Sequence, residues 1–325
     1  MKANQQLPDS KHFRLQQLAE GVYAAIHREG GAAIGNAGIV DLGDRTLIFD
    51  TFISPQAAQD LRDAAEALTG RPVDTVINSH WHSDHMWGNQ VFGQDADVLS
   101  TEMTRSLIVA ARDHGGYQSE MANAEADLES ARARYQAAED EGQRRELALW
   151  IDEYQSVVES KPILQVRAPN LTFTQRLAFH GTERSAELTD FLGGHTKSDA
   201  VLFLPQEGVV FMGDLLFVRC HPWLGGCDPD RLPGILDAVS DLAPKLFVPG
   251  HGPVGMADSL AQMKQYVSTL DSLARKMVEQ GEPEERIDAM AIPEPYDDWL
   301  IASFFAGNMH SLYQRHFKEQ RAVMA

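Results

Sequence analysis

The sequence predicts an α/β protein whose strands end in loops that carry metal-binding side chains. Three observations lead there. Short apolar runs of strand length recur on both sides of segments with helical periodicity. The apolar run 73–77 stops at Asn78-Ser79 and gives way to His80-Trp81-His82-Ser83-Asp84-His85. Three later turns place a glycine directly before a histidine or aspartate: Gly194-His195, Gly213-Asp214 and Gly250-His251.

After a polar lead, residues 22–26 form a β-like run and Gly30-Gly31 marks a turn. Residues 38–50 have the pattern of a hairpin around Gly43-Asp44, with 46–49 as its second strand. Ser54-Pro55 is a helix start: serine caps the exposed amides, and proline fits the first turn, where its missing N–H costs nothing. Ala57, Ala58, Leu61, Ala64, Ala65 and Leu68 then give one apolar face, and Gly70 ends it.

Between residues 117 and 160 the character changes. Leu128, Ala131, Tyr135 and Ala138 share one helical face, and Leu147, Ile151, Tyr154 and Val158 share another. A polar break at 139–143 separates them, so a helical hairpin inserted into the domain is expected, either a solvated insertion or a lid or dimer contact. β-rich chain returns at 171–173, 177–179 and 186–191. A hairpin follows over 200–204 and 209–212, then a short helix at 231–239 and a last apolar strand at 246–249. The final 70 residues carry helical stripes, one through Leu260, Met263, Val267, Leu270, Leu273 and Met277, a second over 299–316. Residues 1–325 are taken as one domain, with 256–325 a helical extension.

The hydrophobic share of 43% in 325 residues allows a large core. The net charge of −19 argues against a nucleic-acid partner, since phosphate backbones are bound by Lys and Arg. It suits an enzyme acting on a small molecule, with bound divalent cations offsetting part of the charge. Cys220 and Cys227 cannot form a disulfide framework and are expected as free thiols or one local bridge. No run of about 18 apolar residues occurs and the first residues are polar, so no membrane span or signal peptide is expected and a cytoplasmic location follows.

The chemistry is concentrated at 80–85, where four potential ligands fall within six residues. In extended chain His80 and His82 point to one side, and Asp84 and His85, past the bend, can face a second metal close by. Imidazole and carboxylate are ligands that suit Zn²⁺ and its first-row neighbours. Glycine before each later ligand lets the chain turn sharply and a metal approach closely.

Seven ligands in the order H-x-H-x-D-H, His, Asp, His resemble the metallo-β-lactamase superfamily over roughly residues 20–255. The resemblance implies an αββα sandwich, two mixed sheets face to face with helices outside. It implies a first metal on His80, His82 and His195, a second on Asp84, His85 and His251, and Asp214 bridging both. The cofactors would be two divalent ions, zinc first and iron or manganese as alternatives. The activity would be hydrolysis of an ester, lactone or thioester by a metal-bridging hydroxide that Asp84 orients. Aspartate at the bridging position is typical of glyoxalase II-like and lactonase-like branches, which ranks β-lactam hydrolysis second. A mononuclear-iron sulfur dioxygenase or a non-catalytic binding protein ranks behind it.

This sequence departs from the family at His195-Thr196-Lys197-Ser198-Asp199, where many members carry Pro-Gly after His-Thr. Candidates for substrate contact are Trp81, Trp87, Lys197, His221 and His310; His12, His27, His114 and His180 are expected to be surface or packing residues. A homo-oligomer through the helical insertion or the C-terminal helices is a further expectation.

Overall fold

The computed structural model describes residues 7–93 and 95–324. Strands β1 (Phe13–Ala19), β2 (Val22–His27), β3 (Ala37–Asp41) and β4 (Thr46–Phe49) run antiparallel. Beyond them β5 (Thr75–Ile77), β6 (Asp97–Thr101) and β7 (Leu171–Phe173) continue the same sheet in parallel. The second sheet has β8 (Arg176–His180), β9 (Ser185–Asp190), β10 (Ala200–Leu204) and β11 (Val209–Phe217) antiparallel, with β12 (Leu246–His251) parallel to β11 at its edge.

Side chains alternate across each strand, and in the central strands both faces are buried. Leu47 and Phe49 of β4 face Val209 and Phe211 of β11 in the layer between the sheets. Ile48, between them, packs outward against Ala57, Ala58 and Leu61 of α1 (Pro55–Thr69). Val210 and Met212 likewise turn outward, toward a layer formed with α7 (Leu232–Ser240), α8 (Ala257–Glu279) and α9 (Ser303–Met324). The result is helix, sheet, sheet, helix, the predicted αββα sandwich. Helix α1 begins as its sequence implies: Ser54 Oγ accepts from the Ala57 amide at 3.1 Å, and Gly70 closes it in the left-handed region.

The metal-ligand loop forms the short α2 (Ser83–Met86) and a 3-10 turn, Trp87–Phe92. Four helices then separate β6 from β7: α3 (Glu102–Asp113), α4 (Gly116–Ala122), α5 (Ala124–Ala137) and α6 (Glu141–Ser160). The helical pair expected over 117–160 is present as α5 and α6, preceded by two more helices. Helices α4 and α6 pack over the ligand loop through Tyr117 and Val157 against Ile53, Met86 and Trp87.

Three boundaries differ from expectation. Strand β1 lies in the segment taken for a polar lead, because only Phe13 and Leu15 of its alternating pattern are apolar and buried. Strand β11 does not stop at Met212 but continues through a register shift at Gly213, so Asp214 sits inside a strand. The last helix begins at Ser303 rather than 299, and Trp299 belongs to the loop before it. No helix among the described residues is long and apolar enough to cross a membrane.

The two sheets approach closely where Gly38 of β3 meets the Phe211 ring, which a Cβ at Gly38 would overlap. Gly38→Leu is expected to lower unfolding stability by about 1–3 kcal/mol through overpacking. Gly234→Ala, at an open position in α7, is expected to leave stability unchanged or raise it by up to about 1 kcal/mol. Urea denaturation checks both, and a neutral Gly38→Leu would contradict the packing account.

Candidate metal centre

Seven side chains from five places in the chain converge at one end of the sandwich. His80 and His82 leave the end of β5, Asp84 and His85 come from α2, and His195 comes from the loop between β9 and β10. Asp214 comes from β11 and His251 from the last position of β12. Their donor atoms form two groups: His80, His82, His195 and Asp214, and Asp84, His85 and His251.

In the first group His82 Nδ1 lies 3.0 Å from His80 Nε2 and 3.0 Å from His195 Nε2. Asp214 Oδ2 lies 3.3 Å from His195 Nε2 and 3.8 Å from His80 Nε2. In the second group Asp84 Oδ2 is 3.2 Å from His85 Nε2 and 3.1 Å from His251 Nε2. Asp214 Oδ1 is 3.1 Å and 3.4 Å from the same two nitrogens. Tetrahedral bonds of about 2.0–2.1 Å set neighbouring donors about 3.3 Å apart, the spacing found here. His85 Nε2 and Asp214 Oδ1 are buried and lack a hydrogen-bond partner, as atoms reserved for a metal would be. These residues could hold divalent metal ions.

The surroundings fix the donors. The Ser79 hydroxyl lies 2.9 Å from His80 Nδ1, which leaves Nε2 for the centre. Asp50, directly after β4 and with φ 61°, accepts from the Ser79 amide and hydroxyl, each at 2.7 Å, and lies 3.0 Å from His85 Nδ1. Such a carboxylate behind a histidine orients the ring and raises its basicity. Asp199 Oδ2 accepts from the Thr196 amide at 2.8 Å and so holds the loop that carries His195. At Gly250 any Cβ would overlap Asp214 Oδ1, so the residue before His251 must be glycine for Asp214 to take its place.

The charges divide between the groups. Burial holds His80 well below the ordinary imidazole value and pushes His195 down to about 3, Asp214 offsetting this only in part. Burial alone would lower His251 too, but Asp214 and Asp84 outweigh it and push it up to about 10. His85 is also raised, against burial, by Asp84, Asp214 and Asp50. Burial would raise Asp84 and Asp214, yet the neighbouring histidines hold both well below the usual carboxylate range.

The resemblance of the ligand order is matched along the chain: a model of the metallo-beta-lactamase superfamily fits residues 30–251. The chain belongs to that superfamily. Solved structures with the same fold include a metallo-beta-lactamase from Pontibacter korlensis, 19% identical, TM-score 0.56, covering 79% of this chain and 99% of that one. The metallo-beta-lactamase DIM-1 is 16% identical with TM-score 0.56, covering 79% of this chain and 98% of its own. VMB-1 is 17% identical with TM-score 0.57, covering 80% and 99%. A curated relative, 2,4-dinitroanisole O-demethylase subunit alpha from Nocardioides sp. (strain JS1661), is 29% identical over 104 residues, 31% of this chain. This chain spans 28% of the length of that relative.

A cavity of about 520 Å³ opens over the centre. Trp81 lines it, between two ligand histidines, and its carbonyl accepts from the Tyr117 hydroxyl at 2.8 Å. The other four substrate-contact candidates do not line it. Trp87 is fully buried and meets Tyr117 edge-on within the core beneath the insertion. Lys197 is exposed and outside the cavity wall. His221 is buried with Nδ1 2.9 Å from the Tyr266 hydroxyl, among Trp299 and Phe305. The chain turns at Arg219, φ 59°, and carries it into the C-terminal layer. His310, on α9, pairs with Glu284 and Asp288 of the 3-10 turn Glu284–Ala289, each at 2.9 Å. His27, taken as a surface or packing residue, does line the cavity, with Nδ1 accepting from the Ile34 amide. Both cysteines are free thiols.

Residue spacing did not single out Asp50, Asp199 or the insertion's Glu120 and Glu153, which also line the cavity or hold its floor. Asp50 directly after an apolar strand was the available signal.

Without metal, His251, pushed up to about 10, carries a proton at pH 7, and the carboxylates around His85 favour its protonated form. Metal uptake must displace these protons, so affinity at the second group rises with pH. Titration calorimetry in buffers of different ionisation enthalpy is expected to show proton release on metal uptake at pH 7; none released would contradict this charge arrangement. Asp50→Ala is expected to weaken metal binding at the second group about 10–100-fold while the first keeps its metal.

Proposed function

We propose that this chain is a dinuclear-metal hydrolase that cleaves a carbonyl compound, an ester, lactone or thioester. The observation that carries the reading is Asp214, with Oδ2 among the first donors and Oδ1 among the second. One residue so placed would tie two ions into a single centre. Bound there, two divalent cations, zinc first, would lower the pKa of water to supply a nucleophile and would polarise the electrophile.

The protein's own groups would do the rest. Asp84 has one oxygen between His85 and His251, and its other oxygen has no hydrogen-bond partner among the described residues. That free oxygen can accept a hydrogen bond from the attacking water and hold it in line. The neutral histidines of the first group leave that side with a single carboxylate, so it is the better place for developing negative charge. Ile34, Ile53, Leu149 and Phe217 in the cavity wall exclude bulk water and strengthen each of these interactions.

A second reading, hydrolysis of an activated aryl ether, uses the same residues on an aromatic ring carbon. The aromatic wall formed by Trp81, Trp150, Trp223 and Phe304 supports it, as does the O-demethylase activity in the relative's name. β-Lactam hydrolysis ranks behind both, because the lactamase structures share the fold at under 25% identity.

Zinc-loaded protein should be screened against lactones, aryl esters, thioesters, a chromogenic cephalosporin and dinitroanisole. Turnover is expected in the carbonyl ester classes, and Asp84→Ala should reduce it by about 100-fold or more. Full activity in Asp84→Ala would overturn the mechanism. A single iron per chain with no carbonyl turnover would point to sulfur oxidation instead.

A further inference from the structure

We propose that the cavity selects substrates bearing a positively charged ammonium group, which Glu153 and Glu120 hold beside the metal centre. The inference deepens the hydrolase reading and rests on it only for what happens to the bound molecule.

Both acids come from the insertion. Glu153 lies one turn from Trp150 and Leu149 on α6, and Glu120 lies one turn from Tyr117 on α4. All five line the cavity. The Glu153 carboxylate has no hydrogen-bond or ion-pair partner among the described residues, although protein surrounds it. Glu120 accepts from the Ser83 hydroxyl, next to the ligand loop, and keeps a surface wetted by the cavity. Burial and the nearby Asp84 raise both acids, Glu153 to about 8 and Glu120 to about 7. Two unpaired acids held in one wall are stabilised most by a cation placed between them.

The rest of the wall suits the same ligand. Phe304 meets Trp150 at 5.5 Å and Trp223 at 5.3 Å between ring centres, a continuous aromatic row across the cavity mouth. Aromatic faces attract ammonium groups, most strongly where water is excluded. No lysine or arginine lines the cavity among the described residues, so a substrate carboxylate, sulfate or phosphate would find no side-chain cation there. Glu29 at the rim is bonded to Arg145, whereas Glu120 and Glu153 have no cationic partner among the described residues, so a bound ammonium group would draw both toward their charged forms. The net charge of −19 draws cations toward the molecule as a whole.

Binding rather than turnover tests this. Phenyltrimethylammonium and its neutral isostere tert-butylbenzene have the same shape, and neither can ligate a metal. Their dissociation constants for the zinc-loaded protein can be measured by ligand-observed NMR, with zinc content and circular dichroism confirming the state of each variant. The cation is expected to bind about tenfold tighter or more. In Glu153→Gln and Glu120→Gln the ratio should fall toward unity. Equal affinities for the two probes in the native protein would overturn the proposal, even if neither variant folds. A preference that survives both substitutions would also overturn it. If no ester, lactone or thioester is turned over, the hydrolase reading fails while the binding ratio still decides this one.

Discussion

The structure depends on one carboxylate set between two clusters of imidazole. Asp214 can direct an oxygen to each donor group only because β11 bulges at Gly213, where φ is 51°, and because Gly250 has no side chain. The parallel pairing of β11 with β12 then brings His251 alongside. The edge geometry of the second sheet thus serves the centre directly, and the core of both sheets holds that edge in register.

A second layer of acids makes the arrangement tolerable. Seven donors packed this closely would repel or protonate at random without fixed partners. Asp50 and Ser79 orient His85 and His80, and Asp199 fixes the loop of His195. Each is buried, and each bonds a ligand or a residue next to one in the chain. The insertion completes the site from above. Helices α4 and α6 pack on Trp87 and Met86 beneath the ligand loop and turn Tyr117, Trp150 and Glu153 toward the cavity. The strand ends thus carry the ligands, and the insertion helices carry part of the cavity wall above them.

The ligands were legible because their signal is local: a strand, then histidine and aspartate at fixed spacing, or glycine before a single donor. The sandwich was legible for a related reason, since β3, β4 and α1 carry strong turn and cap residues. What sequence did not reveal is direction. His221 follows Asp214 closely in the chain, yet the turn at Arg219 sends it among Tyr266 and Trp299. Trp87 flanks the ligands but belongs to the packing beneath them. His310 lies in a helix whose orientation only tertiary packing decides, and its acidic partners come from another element. Strand β1 was hidden because its outward residues Arg14, Gln16 and Gln17 dilute the apolar pattern. Glu120 and Glu153 sit among many other acids of amphipathic helices, and nothing in spacing separates them from solvated neighbours.

The central claim is that Asp214 joins two metal ions. Electron paramagnetic resonance of the manganese-loaded protein tests it most directly. Two ions per chain are expected, with the split, exchange-coupled spectrum of a carboxylate-bridged pair, collapsing to that of isolated ions in Asp214→Ala. A native spectrum of isolated, uncoupled ions would contradict it.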